Sequence, residues 1–102
     1  MTKKQVMTAI IYDKQGRVIS VGQNSYIKTH PLQAKYAKRL GENEKVFLHA
    51  EISAITKCRD LTKAHKMVVF RYDANGNPML AKPCAICETA IDETPIKIVE
   101  HT

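Results

Sequence analysis

Branched and aromatic side chains dominate two short runs near the start of the chain. They fill residues 6–12, and the extended pattern resumes over residues 18–21 after a polar cluster that ends in Gly16. Glycine can adopt the positive φ that tight turns between strands require. The pattern therefore predicts a β-hairpin.

Two helical patterns follow. Residues 29–41 carry apolar side chains at four-residue spacing, with Pro31 suited to the first turn and Gly41 to the stop. Residues 42–61 predict a loop and then a helix with a wide apolar face, whose members recur at three- and four-residue spacing: Leu48, Ile52, Ala54, Ile55, Cys58 and Leu61.

The last third of the chain predicts strand, helix and strand. Residues 66–72 are almost continuously apolar in their middle, residues 84–94 lie between two prolines, and residues 96–100 resume an extended pattern. A strand–helix–strand unit implies a parallel pair of strands. We therefore expect one α/β domain over residues 1–102, with helices on both faces of a mixed sheet of about four strands.

The charge of the chain suggests a class of partner. With 16 Lys and Arg against 10 Asp and Glu, the formal net charge is +6. A basic surface suits a phosphate-bearing partner, either a nucleotide or a nucleic acid. A solvated basic surface without an anionic ligand is the alternative.

Neither a membrane span nor a signal peptide is predicted. No apolar stretch approaches the roughly 18 residues that a spanning helix needs, and the apolar run near the start is too short for a secretory signal. We expect a cytoplasmic protein whose three cysteines are reduced.

The segment KPCAIC places Cys84 and Cys87 three positions apart at a predicted helix start. This spacing is compatible with a redox pair, with half of a metal site, or with chance. A thioredoxin-like redox motif belongs near the front of its domain, whereas this pair lies late in the chain. The metal interpretation requires a further ligand from elsewhere.

His49 is the candidate for that ligand. It stands at the start of the predicted apolar helix, with Glu51 two residues later. If the two helix starts lie side by side, His49 and the thiolates of Cys84 and Cys87 supply three ligands of the kinds that zinc prefers. A fourth position is then left for water, as in catalytic zinc sites, and Glu51 could take a proton from that water.

The paired motif resembles a known family. His49-Ala50-Glu51 followed by Pro83-Cys84-Ala85-Ile86-Cys87 is similar to the H-x-E…P-C-x-x-C signature of the zinc nucleobase deaminases, in the cytidine and deoxycytidylate deaminase superfamily. The order of predicted elements agrees along nearly the whole chain. The resemblance implies a three-layer α/β/α cytidine-deaminase-like fold.

The resemblance also implies roles for individual residues. His49, Cys84 and Cys87 would hold Zn²⁺, and Glu51 would move protons while water replaces the amine of the base. Substrate contacts are implied for three further positions: Asn24, Ala50 and Pro83. His30, which lies just beyond Asn24 in the sequence, is a further candidate that could line the substrate pocket and meet a phosphate. A turn-forming role for Asn24 and a helix-capping role for His30 are the alternatives.

We therefore expect hydrolytic deamination of a cytosine nucleoside or nucleotide of the cytidine or dCMP type, with release of ammonia. Two alternatives stay open: a deaminase acting on RNA or single-stranded DNA, and a non-catalytic zinc-binding domain. Relatives usually continue beyond the fourth strand, whereas this sequence ends at Thr102. We expect an exposed sheet edge there and self-association into a homo-oligomer that covers it.

Overall fold

The computed structural model of the protein describes residues 7–24, 35, 38, 49–73 and 75–102. Within these residues it contains four strands, two α-helices and one short 3₁₀ helix. The strands are β1 (Met7–Tyr12), β2 (Val18–Gln23), β3 (Lys66–Arg71) and β4 (Ile98–His101). The helices are α1 (Ala50–Lys57), α2 (Ala85–Asp92) and the 3₁₀ helix Leu61–Lys63.

The four strands form one mixed sheet in the order β2-β1-β3-β4. β1 lies antiparallel to both β2 and β3, whereas β3 and β4 are parallel and are connected through α2. The predicted hairpin, the C-terminal parallel pair and the α/β class are confirmed. Lys35 and Lys38 are helical, but the rest of the helix predicted over residues 29–41 lies outside the described residues.

Two tight turns of the same design connect extended segments. In each turn an aspartate Oδ1 accepts hydrogen bonds from the backbone N–H groups two and four residues later, at Asp13 and again at Asp73. Three residues after each aspartate stands a glycine with positive φ, 80° at Gly16 and 83° at Gly76. Aspartate favours this local hydrogen bonding and glycine tolerates the left-handed backbone, so both turns follow from their sequences.

The core lies on the sheet face that both helices cover. Alternate residues of β1 and β3 point into it, as the two-residue period of a strand requires. The same buried cluster contains residues of α1 and α2, and its largest fully buried members include Ile11, Ile52, Met67, Val69 and Ile86. The helices that carry the two halves of the motif therefore share one face of the sheet.

Gly22 brings α1 unusually close to β2. A Cβ placed on Gly22 would lie 2.2 Å from the backbone nitrogen of Ala54 and 2.6 Å from the carbonyl oxygen of Ala50. Two residues earlier, the buried Ser20 hydroxyl donates a 2.6 Å hydrogen bond to the Ala54 carbonyl. Glycine inside a strand often marks such a close backbone approach, and here it fixes where the first turn of α1 lies.

We expect Gly22→Ala to lower the free energy of unfolding by about 3 kcal/mol, because backbone atoms of α1 must move to admit the methyl group. Gly16→Ala is the contrasting variant. Its Cβ would meet nothing within 4 Å, so only the left-handed backbone opposes it, at about 1–2 kcal/mol. Urea unfolding of the zinc-loaded proteins measures both. If Gly22→Ala lowered the free energy of unfolding by no more than Gly16→Ala does, that result would contradict the close contact.

The structure corrects the predicted end of the second helical pattern. α1 ends at Lys57, and Cys58 is an extended, half-buried C-cap that packs against the core rather than a helical residue. The Asp60 side chain accepts a hydrogen bond from the Thr62 N–H and starts the 3₁₀ helix instead. Local capping by aspartate thus overrides the apolar period that extended to Leu61. No α-helix of the described residues has the length and apolar character needed to cross a membrane.

Candidate active site

The first turns of α1 and α2 supply the residues of the site. His49 is the N-cap of α1 and Cys84 is the N-cap of α2, and neither side chain makes a capping hydrogen bond. Helix N-caps usually carry Ser, Thr, Asp or Asn, whose side chains satisfy a free backbone N–H. Both positions give up that stabilisation, because their side chains point towards each other instead.

The two halves of the motif meet at one point. His49 Nδ1 lies 3.3 Å from Cys87 Sγ and 3.5 Å from Cys84 Sγ. All three potential ligand atoms lie within 4.8 Å of one another, and no fourth His, Cys, Asp or Glu joins the group within the described part of the chain. The structure thus brings together the three residues that the sequence proposed and selects Nδ1 as the imidazole atom that faces the sulfurs.

These distances fit a tetrahedral zinc ion. With Zn–S bonds of about 2.3 Å and Zn–N bonds of about 2.0 Å, tetrahedral angles place nitrogen and sulfur about 3.5 Å apart. The donor set of one imidazole and two thiolates is also one that zinc prefers. His49, Cys84 and Cys87 are therefore positioned to hold Zn²⁺.

Charge at the two sulfurs is unequal. A hydrogen bond from the Cys87 thiol, followed by the nearby His49, lowers the pKa of Cys84 to about 3. The hydrogen bond to Cys84 and burial raise the pKa of Cys87. Both shifts come first from the hydrogen bond that the two sulfurs share, and a cation bound to both thiolates would take the place of the shared proton.

Glu51 stands in the first turn of α1 with only 3% of its surface exposed. Burial raises the pKa of its carboxyl group, opposed by hydrogen bonds from its own backbone and from Cys87. A carboxyl group in contact with a zinc-ligand sulfur lies beside the site without being a member of the ligand group. This is where a group that moves protons to and from a bound molecule must lie.

The other predicted residues occupy different surroundings. Asn24 follows β2, and its side-chain oxygen accepts a 2.9 Å hydrogen bond from the Met7 N–H, which ties the ends of β1 and β2 together. Ala50 is buried with its carbonyl towards Gly22, and Pro83 is buried before the Cys84 N-cap. His30 lies outside the described residues.

Sequence reasoning missed the structural support beneath the site. Gly22 and Ser20 hold the first turns of α1 against β2, although neither carries a chemical group for the reaction. The signal in the sequence was Ser20 and Gly22, two small residues at alternate positions of a strand that is otherwise mostly valine and isoleucine. Small residues there indicate a helix packed close to the backbone.

A family model for the cytidine and deoxycytidylate deaminase zinc-binding region matches residues 2–101. The chain belongs to this family. The zinc-binding region thus spans nearly all of the sequence, and its signature residues are those that converge at the helix N-termini. The protein is a zinc-dependent deaminase with the α/β fold of that family, as the resemblance implied. No curated protein matched the chain.

Proposed function

We propose that this deaminase converts a cytosine nucleoside or nucleotide, of the cytidine or dCMP type, to the uracil form by hydrolysis. The observation that supports it is the buried Glu51 carboxyl group beside the His49, Cys84 and Cys87 group. This combination of three ligands and one non-ligand carboxylate is the one that zinc nucleobase deamination needs.

The proposed roles of the residues follow from their positions. His49 Nδ1, Cys84 and Cys87 would hold the zinc, which when bound lowers the pKa of water towards about 7 and so supplies a nucleophile at neutral pH. Glu51 accepts a proton from the attacking water and delivers it to the ring nitrogen next to the amine-bearing carbon. As the water oxygen bonds to that carbon, its second proton passes through Glu51 to the amine, so that the carbon–nitrogen bond breaks, ammonia leaves and the carbon–oxygen double bond forms.

Burial of Glu51 restricts its carboxyl group, and this restriction favours the proposed proton transfer. Glu51 is held within α1 by its backbone and packed beside Cys87, so its carboxyl oxygens have little freedom to turn towards bulk solvent. A fixed carboxyl group loses little entropy when it meets a substrate atom. The two helix N-termini also point their positive ends at the site, which favours the anionic sulfurs that the metal requires.

A substrate panel tests the proposal. Ammonia release is measured on zinc-loaded protein with cytidine, deoxycytidine, dCMP, adenosine and a cytosine-containing single-stranded oligonucleotide. We expect turnover of at least one free cytosine nucleoside or nucleotide at rates typical of enzymes, about 1–10³ s⁻¹. Release from adenosine alone, or from the oligonucleotide alone, would contradict the proposed substrate.

The second candidate is a deaminase that acts on a base within a nucleic acid. The observation that favours it is the net charge of +6, which suits a phosphate backbone. The same panel separates the two, because a polynucleotide deaminase would turn over the oligonucleotide far faster than the free nucleotides.

A further inference from the structure

A basic groove lies at the end of the sheet remote from the candidate active site. It encloses about 820 Å³ and is formed by three stretches of chain: the β1–β2 turn, the segment that leads into β3, and the segment that leads into β4. Its described lining residues include four cationic side chains, Lys14, Arg17, Lys63 and Lys97. This groove is called the basic groove below.

The basic groove and the active site occupy opposite ends of the strands. The first turns of α1 lie against Gly22, near the end of β2, whereas the groove is lined by Val18 at its beginning. Val18 and Gly22 are four residues apart in β2, which at about 3.4 Å per residue separates them by about 14 Å. The groove is therefore a separate feature, and none of its lining residues belongs to the zinc group.

The walls of the groove are joined by backbone hydrogen bonds. The His65 N–H donates to the Tyr12 carbonyl at 2.9 Å, and the Lys97 N–H donates to the His65 carbonyl at 2.9 Å. The β1–β2 turn is held by Asp13, which accepts from backbone N–H groups. These bonds fix the three backbone segments from which the cationic side chains extend, so the groove is preformed, as ligand sites generally are.

Charge in the groove is strongly positive. Asp13 is the acidic residue among the described lining residues, and its carboxylate already pairs with Arg17 Nε at 3.3 Å. With His65 neutral, four cations against one carboxylate leave +3, which is half of the net charge of the whole chain. Such a concentration of like charge is unfavourable unless an anion or salt screens it.

We infer that the basic groove binds a row of phosphate groups, specifically the phosphodiester backbone of single-stranded nucleic acid. Its volume lies at the upper end of small-ligand sites, and three stretches of chain contribute its four cations. No Phe, Tyr or Trp is among the described lining residues, so phosphates rather than stacked bases would be recognised. The inference does not depend on which base the active site deaminates.

Binding of a fluorescent oligothymidylate, measured by anisotropy on the full zinc-loaded protein at several salt concentrations, tests the inference. Thymine lacks an exocyclic amine, so the probe offers the active site nothing to deaminate. We expect Lys63→Glu/Lys97→Glu to weaken binding more than 10-fold. The slope of log K against log salt should fall by about 1.4, since each phosphate contact on single strands contributes about 0.7.

Lys38→Glu/Lys57→Glu is the matched control, because both lysines are exposed and lie outside the groove lining. It should change the oligothymidylate affinity less than twofold, and zinc content with thermal unfolding verifies that all variants fold. Equal weakening by this control variant would overturn the inference, as would absence of oligothymidylate binding at about 50 mM salt.

Competitors separate the possible sources of negative charge. Inorganic triphosphate and a nucleoside triphosphate should displace the probe only at much higher concentration than unlabelled oligothymidylate, because they offer fewer phosphates. Displacement by triphosphate as efficient as by the oligonucleotide would overturn the phosphodiester assignment. Equally efficient displacement by polyglutamate would overturn phosphate recognition altogether, since the groove would then attract any polyanion.

Discussion

Replacing Glu51 by glutamine is expected to reduce kcat for deamination by about 100- to 10,000-fold. The amide has nearly the same volume as the carboxyl group, which matters at a position with 3% exposure, but it cannot accept a proton from water. Zinc content should remain about one ion per chain, because His49, Cys84 and Cys87 are unchanged. Ammonia release and metal analysis on the same preparation measure the two effects.

Glu88→Gln is the matched control for this change. Glu88 lies in the first turn of α2 as Glu51 lies in the first turn of α1, but its side chain is exposed. The substitution makes the same chemical change in the first turn of the neighbouring helix, and we expect kcat within about twofold of the parent, as for most surface changes. Zinc-loaded Glu51→Gln that deaminates as fast as the parent would remove Glu51 from the mechanism.

Replacing Cys87 by serine is expected to weaken zinc binding by more than about 100-fold, since changes outside the ligand shell alone cost about 10- to 100-fold. Cys87 is fully buried and lies 3.3 Å from His49 Nδ1. A serine hydroxyl stays protonated near neutral pH and replaces a thiolate poorly. Turnover should disappear with the metal, and thermal stability should no longer rise when zinc is added, because binding energy is linked to folding.

The third cysteine provides the control. Cys58 is half-buried at the end of α1 and is outside the metal-binding group. Cys58→Ser should retain zinc in competition with a chelator and should retain turnover. Retention of stoichiometric zinc by Cys87→Ser under the same competition would contradict the proposed ligand set.

Together the two substitutions distinguish a catalytic centre from a zinc domain used only for binding. In a non-catalytic domain, Cys87→Ser would still weaken zinc binding. Glu51→Gln would have no measurable effect there, because the parent protein would not deaminate any substrate. Glu51 is a buried carboxyl group that lies outside the ligand group, and burial raises its pKa, as is typical of groups that act in catalysis. Its presence therefore favours the catalytic interpretation.

The basic groove also shows where part of the net positive charge of the chain lies. From composition, a basic surface without an anionic ligand was an equal alternative to a phosphate-bearing partner. The fold collects Lys14, Lys63 and Lys97 from three separated stretches at the beginning of the parallel strands. A charge that is dispersed along the sequence is thereby concentrated in space, which favours the ligand over the dispersed surface.

The sequence by itself determined the elements and the identity of the site. The apolar patterns of β1 and β3 and the turn that ends in Gly16 depend on interactions between residues close in the chain, and such local preferences can be deduced from spacing alone. The paired H-x-E and P-C-x-x-C segments identified the site through their resemblance to the deaminase signature. Where local spacing failed, at Cys58, a local capping preference at Asp60 competed with the apolar period.

Only the tertiary structure decided how the two halves of the site meet. His49 and Cys84 are 35 positions apart, and that separation does not decide whether Nδ1 or Nε2 of His49 faces the sulfurs. The packing of α1 and α2 on one sheet face decides it. The same is true of Gly22, whose missing side chain sets the position of α1, and of the basic groove, whose cations come from three stretches of chain. These properties depend on contacts between residues far apart in the chain, and such contacts exist only once the helices are packed closely on the sheet.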